Sequence, residues 1–396
     1  MKVERTRWSN SGTKGTRTVI HQRYLRWLLG ATAAWFGFFF ALTWIIDPYG
    51  VSPIRVSIPR FNTYKVARID IDRLTKPYEV WRQQPRTVFL GSSRIHESMD
   101  PAALNGTRYA PAYNAAIPAD SLGESFANLK LFIQLDPNLR AVFLELFLYK
   151  FIIPQPTVER SFGEFLRNTA SLHFSTDTLR ASAMTVGVNA LRPDLTAYVS
   201  AGGHWVPPAG YSTLTNFDQS HFIKSILGHH QKITDMVLQS TAIASLDRIV
   251  ALCRERGIEL HMIVTPSYPW DDYRLLSLGY WPLLEQWLRQ LSRYENVVSF
   301  SQYNDVLTEP PGAQMRWWYD PIHFSGNTGM LMLAALSGQR ASGTPNNFLT
   351  PITPQTVEAV IRDRRAGLAS WVQTNADYVA AFERGKREAG GPVDHR

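Results

Sequence analysis

The chain has 396 residues, 45% of them hydrophobic, a single cysteine and a formal net charge of +8. One cysteine excludes an intrachain disulfide and a cysteine-cluster metal site, so stability must come from core size. The charge does not point to nucleic acid. Lys2, Arg5, Arg7, Lys14, Arg17, Arg23 and Arg26, against the one acid Glu4, precede residue 27 and leave only about +2 for everything after them. A nucleic-acid binder carries its basic excess on the folded domain.

Trp27 to Ile46 is an uncharged apolar run, about the 20 residues a helix needs to cross a bilayer. Trp27, Trp35 and Trp44 lie in it, two of them near its ends, where aromatic belts form. The first twenty residues beyond it carry only Arg55, Arg60 and Lys65 as basic side chains. The positive-inside rule therefore predicts a cytoplasmic N-terminus, a single-pass anchor in the cytoplasmic (inner) membrane and a periplasmic or other extracytoplasmic C-terminal part. A cleaved signal peptide would have a shorter apolar core and a small-residue cleavage site. The run instead ends Ile45-Ile46-Asp47-Pro48-Tyr49.

Residues 47–84 read as a polar, proline-spaced linker and lead-in. Strands are then predicted at 85–91, 112–117, 141–147, 258–264 and 297–300, with helices at 120–134, 240–256, 280–294 and 326–336, the last capped by Ser325. The repeating βα pattern implies an α/β fold with a doubly wound, mainly parallel five-stranded sheet. The α/β domain is expected over residues 85–345, with an insertion at about 154–239 that reads as a lid, an acceptor surface or a plain structural excursion. Residues 346–396 read as a helical extension opened by Thr353-Pro354, with a disordered tail after Arg384.

Parallel sheets carry their sites beyond the C-terminal strand ends. Gly91-Ser92-Ser93-Arg94 follows the first strand, and Asp320-Pro321-Ile322-His323 precedes the last helix. Ser93 at a strand-to-helix turn supplies a nucleophile, His323 a base, and Asp320 an acid that orients the base. Taken apart, each segment reads as a helix cap or a loop hydrogen bond; their pairing across an α/β frame is what points to catalysis. Arg94 reads either as a binder of an anionic uronate or phosphate or as a salt-bridged arginine. Trp317-Trp318-Tyr319 reads as a sugar-stacking wall or as core. His204, His221, His229 and His230 lack carboxylate partners at ligand spacing and read as loop histidines, and His96 as structural. No metal or other cofactor is expected.

These segments resemble the SGNH or GDSL-type serine hydrolases. The resemblance covers about residues 85–150 and 240–337. The family's first block, Gly-x-Ser, is matched by Gly91-Ser92-Ser93, and its last, Asp-x-x-His, by Asp320-Pro321-Ile322-His323. Asn114-Ala115-Ala116-Ile117-Pro118-Ala119-Asp120 is close to the second block. Glu145-Leu146-Phe147-Leu148-Tyr149-Lys150 keeps the frame of the third. The resemblance implies oxyanion donors at the positions of Ala119, where the family has glycine, and Tyr149, where it has asparagine. The departures look like those of the membrane-tethered branch that modifies polysaccharides or cell-wall polymers, such as the alginate O-acetylation and teichoic-acid D-alanylation proteins. That implies an acyl-ester transferase or esterase acting on an exported polysaccharide, with a membrane-bound O-acyltransferase as partner. The competing expectation is a non-catalytic polysaccharide-binding or scaffold protein on a degenerate SGNH fold.

Overall fold

The computed structural model describes residues 13–52, 56–65, 71–154, 158–192, 198–207, 236–310 and 315–388, with side chains from residue 21 onward except at Tyr198. In chain order the strands are β1 (Thr87–Leu90), β2 (Ala112–Asn114), β3 (Ala141–Leu146), β4 (Tyr198–Val199), β5 (Trp205–Val206), β6 (Glu259–Val264), β7 (Val297–Ser299) and β8 (Thr350–Pro351). The helices are α1 (Thr13–Ile46), α2 (Asp72–Gln83), α3 (Ser93–Ser98), α4 (Leu122–Leu135), α5 (Tyr149–Ile152), α6 (Phe162–His173), α7 (Thr176–Leu191), α8 (Ser240–Glu255), α9 (Pro269–Ser277), α10 (Trp281–Leu291), α11 (Gly326–Leu336), α12 (Val357–Thr374) and α13 (Ala376–Glu388).

The main sheet has the order β2-β1-β3-β6-β7-β8, parallel except for the last pair. It is six-stranded, not five-stranded. The extra strand is two residues long and contains Pro351, too short and too proline-marked to register as a strand in sequence. The order reverses at β1, which lies between β2 and β3. In an open α/β sheet that reversal opens a crevice beyond the strand ends. β1 and β3 are buried along their whole length. Burial on both faces is why they read as mainly apolar runs rather than alternating ones, Glu145 on β3 being the charged exception.

The chain divides into two compact units. One comprises Met1–Ala67 and Ala170–Arg192, and so combines α1 with α7, which pack together. Among the described residues, one stretch, His21–Ile46, is long and apolar enough to cross a membrane, and only about a tenth of it is buried. Exposure on that scale is the reverse of a core helix. After α1, Asp47 Oδ1 accepts from the amides of Val51 and Ser52, and Asn62 Nδ2 donates to the carbonyls of Ile45 and Val56.

The other unit, Arg68–Thr169 and Pro193–Arg396, holds the sheet. It includes residues 346–396, which add β8 and α12 to it. The lead-in contains α2, missed because the buried residues of this helix include Thr75, Lys76 and Glu79. Lys76 Nζ donates to the carbonyls of Asn114 and Gly203. Pro77 cannot donate to the carbonyl four residues back; Arg160 Nη1 donates to that Arg73 oxygen at 3.3 Å. The predicted insertion contributes α6, α7 and the β4–β5 hairpin. His221, His229 and His230 lie outside the described residues.

At the C-terminus α12 starts at Val357, not at Thr353-Pro354. Thr353 Oγ1 accepts from the Thr356 amide and shapes the preceding turn. The stretch after Arg384 is helical to Glu388, where disorder was expected. Phe382 is fully buried beside Trp270 and Tyr273, and Lys386 Nζ donates to the Ser277 carbonyl. Those tertiary contacts outweigh the polar composition of the segment.

Candidate active site

The turn after β1 is built by three neighbouring residues with separate tasks. Gly91 is required by space: a Cβ there would come within 2.6 Å of Ile95 Cγ1 and 2.9 Å of Glu145 Cβ. Ser92 is the N-cap of α3, its hydroxyl accepting from the Arg94 amide at 3.4 Å. Its own amide donates to Glu145 Oε2 at 2.6 Å. Ser93 is thereby free of the capping role.

Glu145, fully buried on β3, anchors this turn. Burial pushes its carboxyl up, but Lys150, Arg94 and the Ser92 amide outweigh burial and hold it below its usual value. Lys150 Nζ lies 3.4 Å from Glu145 and 3.4 Å from Asp120. Glu145 thus holds the turn through the backbone of Ser92.

Arg94 does not face a substrate. It is buried, its Nη2 donates to the Pro266 carbonyl, its Nε is 3.8 Å from Glu145, and its guanidinium lies 3.9 Å from the centre of the Phe147 ring. The anion-binding reading of Arg94 is therefore replaced by one in which it ties the turn to β3 and to the segment after β6. A buried guanidinium persists only with such partners.

Ser93 Oγ lies 2.9 Å from His323 Nε2, and His323 Nδ1 lies 2.7 Å from Asp320 Oδ2. Ionised Asp320 only accepts, so Nδ1 carries the proton and Nε2 accepts from Ser93. Asp320 Oδ1 also receives the amides of Ile322 and His323, each at 2.7 Å. Burial raises the Asp320 carboxyl, yet these bonds and the imidazole hold it below its ordinary value. Burial lowers the His323 imidazole, but the hydrogen bond and charge of Asp320, with Glu97, hold it above its ordinary value.

The loop that carries this pair is closed by a bridge between Trp318 and Phe324 and by the Tyr319 amide donating to the His323 carbonyl at 2.9 Å. Trp318 is core, with its indole N–H on the Val306 carbonyl at 3.1 Å. Trp317 and Tyr319 are half-buried. Ser325 occupies the N-cap position of α11, but its hydroxyl donates to the Arg316 carbonyl and not to the helix. Gly329 brings α11 onto α3: a Cβ there would lie 1.7 Å from the Ser98 carbonyl oxygen. Ser98 Oγ donates to the Phe324 carbonyl. Two contacts therefore fix the helix that begins at Ser93 against the segment that follows His323.

The loop after β2 reaches the same turn, with the Ile117 amide donating to the Gly91 carbonyl at 2.9 Å. Ala119 has a φ of +59°, the left-handed conformation that favours glycine. The amides of Ser93 and Ala119 have no acceptor among the described residues. Tyr149 differs. Its phenol donates to Asp271 Oδ1 at 3.0 Å.

Sequence reasoning missed Glu97, whose Oε1 stands 3.9 Å from His323 Nε2. Its signal was present: residue 97 is four after Ser93, the spacing that puts two side chains on one helix face. His96 is buried 3.3 Å from Asp72, and His204 Nε2 is 3.1 Å from the Glu97 carbonyl. Among the described residues no group of three or more His, Cys, Asp or Glu is placed to hold a metal.

Compared with known proteins, the chain matches no family model, no curated protein and no solved structure.

Proposed function

We propose that this chain is a membrane-anchored, extracytoplasmic SGNH-like enzyme that transfers or hydrolyses acyl esters on an exported polysaccharide. The observation that carries the reading is the hydrogen-bonded line Ser93–His323–Asp320 beside the reversal of strand order. Ser93 Oγ gives its proton to His323 Nε2 and attacks the acyl carbonyl. Negative charge forms on the carbonyl oxygen, and the amides of Ser93 and Ala119 are its donors. The C–O bond to the leaving alcohol breaks, that oxygen takes the proton from His323, and an acyl-serine remains. A sugar hydroxyl or water then loses its proton to His323, attacks the acyl carbon and restores Ser93. Asp320 holds the imidazole tautomer throughout.

The basic flank before α1 supports a cytoplasmic N-terminus and a periplasmic or extracytoplasmic catalytic unit. The acyl donor in this reading is a membrane-bound O-acyltransferase that passes acyl groups across the inner membrane. The competing reading, a scaffold on a degenerate SGNH fold, draws on Tyr149, which stands where the family has an asparagine and is engaged with Asp271.

The test is turnover of p-nitrophenyl acetate by the full chain in detergent, with Ser93→Ala as control. The expected result is acyl release that falls about 10⁴-fold or more in the variant, with an unchanged thermal midpoint. Equal turnover by both proteins puts the scaffold reading first.

A further inference from the structure

We propose that the corner between α6 and α7, with Phe174 as its deepest residue, is seated among lipid acyl chains beside α1; this rests on the reading that α1 spans the membrane. Phe174 stacks on Phe40 of α1, ring centres 5.0 Å apart and planes 7° from parallel, yet is 62% exposed. One ring face is held by α1 and the other is open.

Length decides where that open face lies. Trp27–Ile46 is about 30 Å of helix, the thickness of a hydrocarbon core. Phe40 is six residues before its end, about 9 Å inside. A corner held in water would force the span to end near Phe39. About 20 Å would remain, too short to cross without drawing Arg26 and Arg23 inward. The burial pattern agrees: α1 is exposed from His21 to Phe38, whereas Phe39 and Phe40 are half-buried and Thr43 is buried, with Ala41 and Ile45 still exposed.

Lipid requires polar groups to be paired; several at the corner are, and the exposed Thr176 and Asp177 at the start of α7 limit its depth. The Phe174 amide donates to the Ala170 carbonyl, Ser175 Oγ accepts from the Thr178 amide, and Thr178 Oγ1 donates to the Ser171 carbonyl. Burial lowers the His173 imidazole, which favours its neutral form. One turn on, Thr178 bonds the Tyr49 phenol, which places it beyond the end of α1. The insertion is therefore shallow, confined to the outer leaflet, and it gives the unit that holds α1 and α7 a second attachment to the bilayer.

The test uses the full chain in vesicles of phosphatidylcholine and phosphatidylglycerol, with an environment-sensitive fluorophore on Phe174→Cys. Cys253 does not compete, because it is buried and its thiol is pushed up to about 12. Lipids carrying a nitroxide at acyl carbon 5 are expected to remove most of the emission, lipids with the nitroxide near the bilayer centre less, and aqueous iodide little. Quenching by iodide and not by lipid places the corner in water and overturns the proposal. Shielding from both means that protein covers it, a second copy or a partner, and also overturns it. An alkaline wash reports on the underlying reading separately: if the full chain leaves the vesicles, α1 itself does not span. Should the labelled variant fail to fold, the unaltered protein photolabelled by carbene-bearing lipid is expected to carry label within residues 171–180, and its absence there is the contrary result.

Discussion

The carboxylate of Glu97 stands 3.9 Å from His323 Nε2, the nitrogen that also meets Ser93 Oγ. Burial raises the Glu97 carboxyl and the imidazole draws it back only in part, so it stays above its usual value. Its charge in turn helps to hold His323 above its ordinary value. In the proposed reaction His323 must be neutral to accept the serine proton. Glu97→Gln removes a charge that favours the imidazolium, so the acid limb of the kcat/KM profile is expected to move to lower pH. The measurement is ester hydrolysis from pH 5 to 8 by both proteins. A limb that stays in place or moves upward excludes Glu97 from this role.

Gly329 predicts a coupled loss. An alanine Cβ would meet the Ser98 carbonyl at 1.7 Å, and backbone at that position does not rotate away. Helix α11 must shift relative to α3, at a cost of about 1–3 kcal/mol or more. His323 and Ser93 ride on those two segments, and a displacement of about 1 Å between reacting groups costs on the order of 100-fold in rate. Gly329→Ala is expected to lower both the urea midpoint and turnover. Gly187→Ala is the control: it sits in a helix with nothing near its added carbon, and a neutral or slightly stabilising effect is expected there.

Tyr149→Phe separates two roles by magnitude. With its hydroxyl on Asp271, loss of the phenol should cost about 1 kcal/mol of stability and leave turnover within a few-fold. Loss of an oxyanion donor would cost about 10² to 10³ in kcat. A rate loss of that size with an unchanged midpoint would return Tyr149 to the oxyanion site.

How much of this was legible follows a physical division. The five parallel strands were legible from short runs dominated by apolar residues, clearest in β1, where burial on both faces leaves Val88-Phe89-Leu90. The Ser93 and Asp320/His323 segments were legible because they lie at strand and helix ends, where chemistry and turn residues coincide. What escaped depends on distant partners. Arg94 looks the same in sequence whether it meets a substrate or Glu145 and Pro266. Helix α2 was hidden because Lys76 and Glu79 are buried in place of apolar residues. The packing of α7 on α1 joins residues more than 100 apart in the chain, and no local pattern records it.

Asp271 and Asp120 make stability depend on pH in an unusual sense. Burial pushes both carboxyls from 3.8 to about 7, with the Asp272 charge adding to the effect at Asp271 and Lys150 opposing it at Asp120. Between about pH 4 and 7 the folded chain keeps protons that the unfolded chain has released. The unfolded state then binds fewer protons, so these groups make stability fall as pH rises through that window. Asp271→Asn keeps an acceptor for Tyr149 and for Arg274, whose Nη2 lies 3.0 Å from Asp271 Oδ1, and it removes the titration. Its stability relative to the parent is therefore expected to increase with pH across the window, by on the order of a few kcal/mol in all. Urea midpoints at half-unit steps from pH 4.5 to 7.5 measure this. A difference between the two proteins that is flat in pH, or that shrinks as pH rises, would show that Asp271 is ionised in the folded chain throughout.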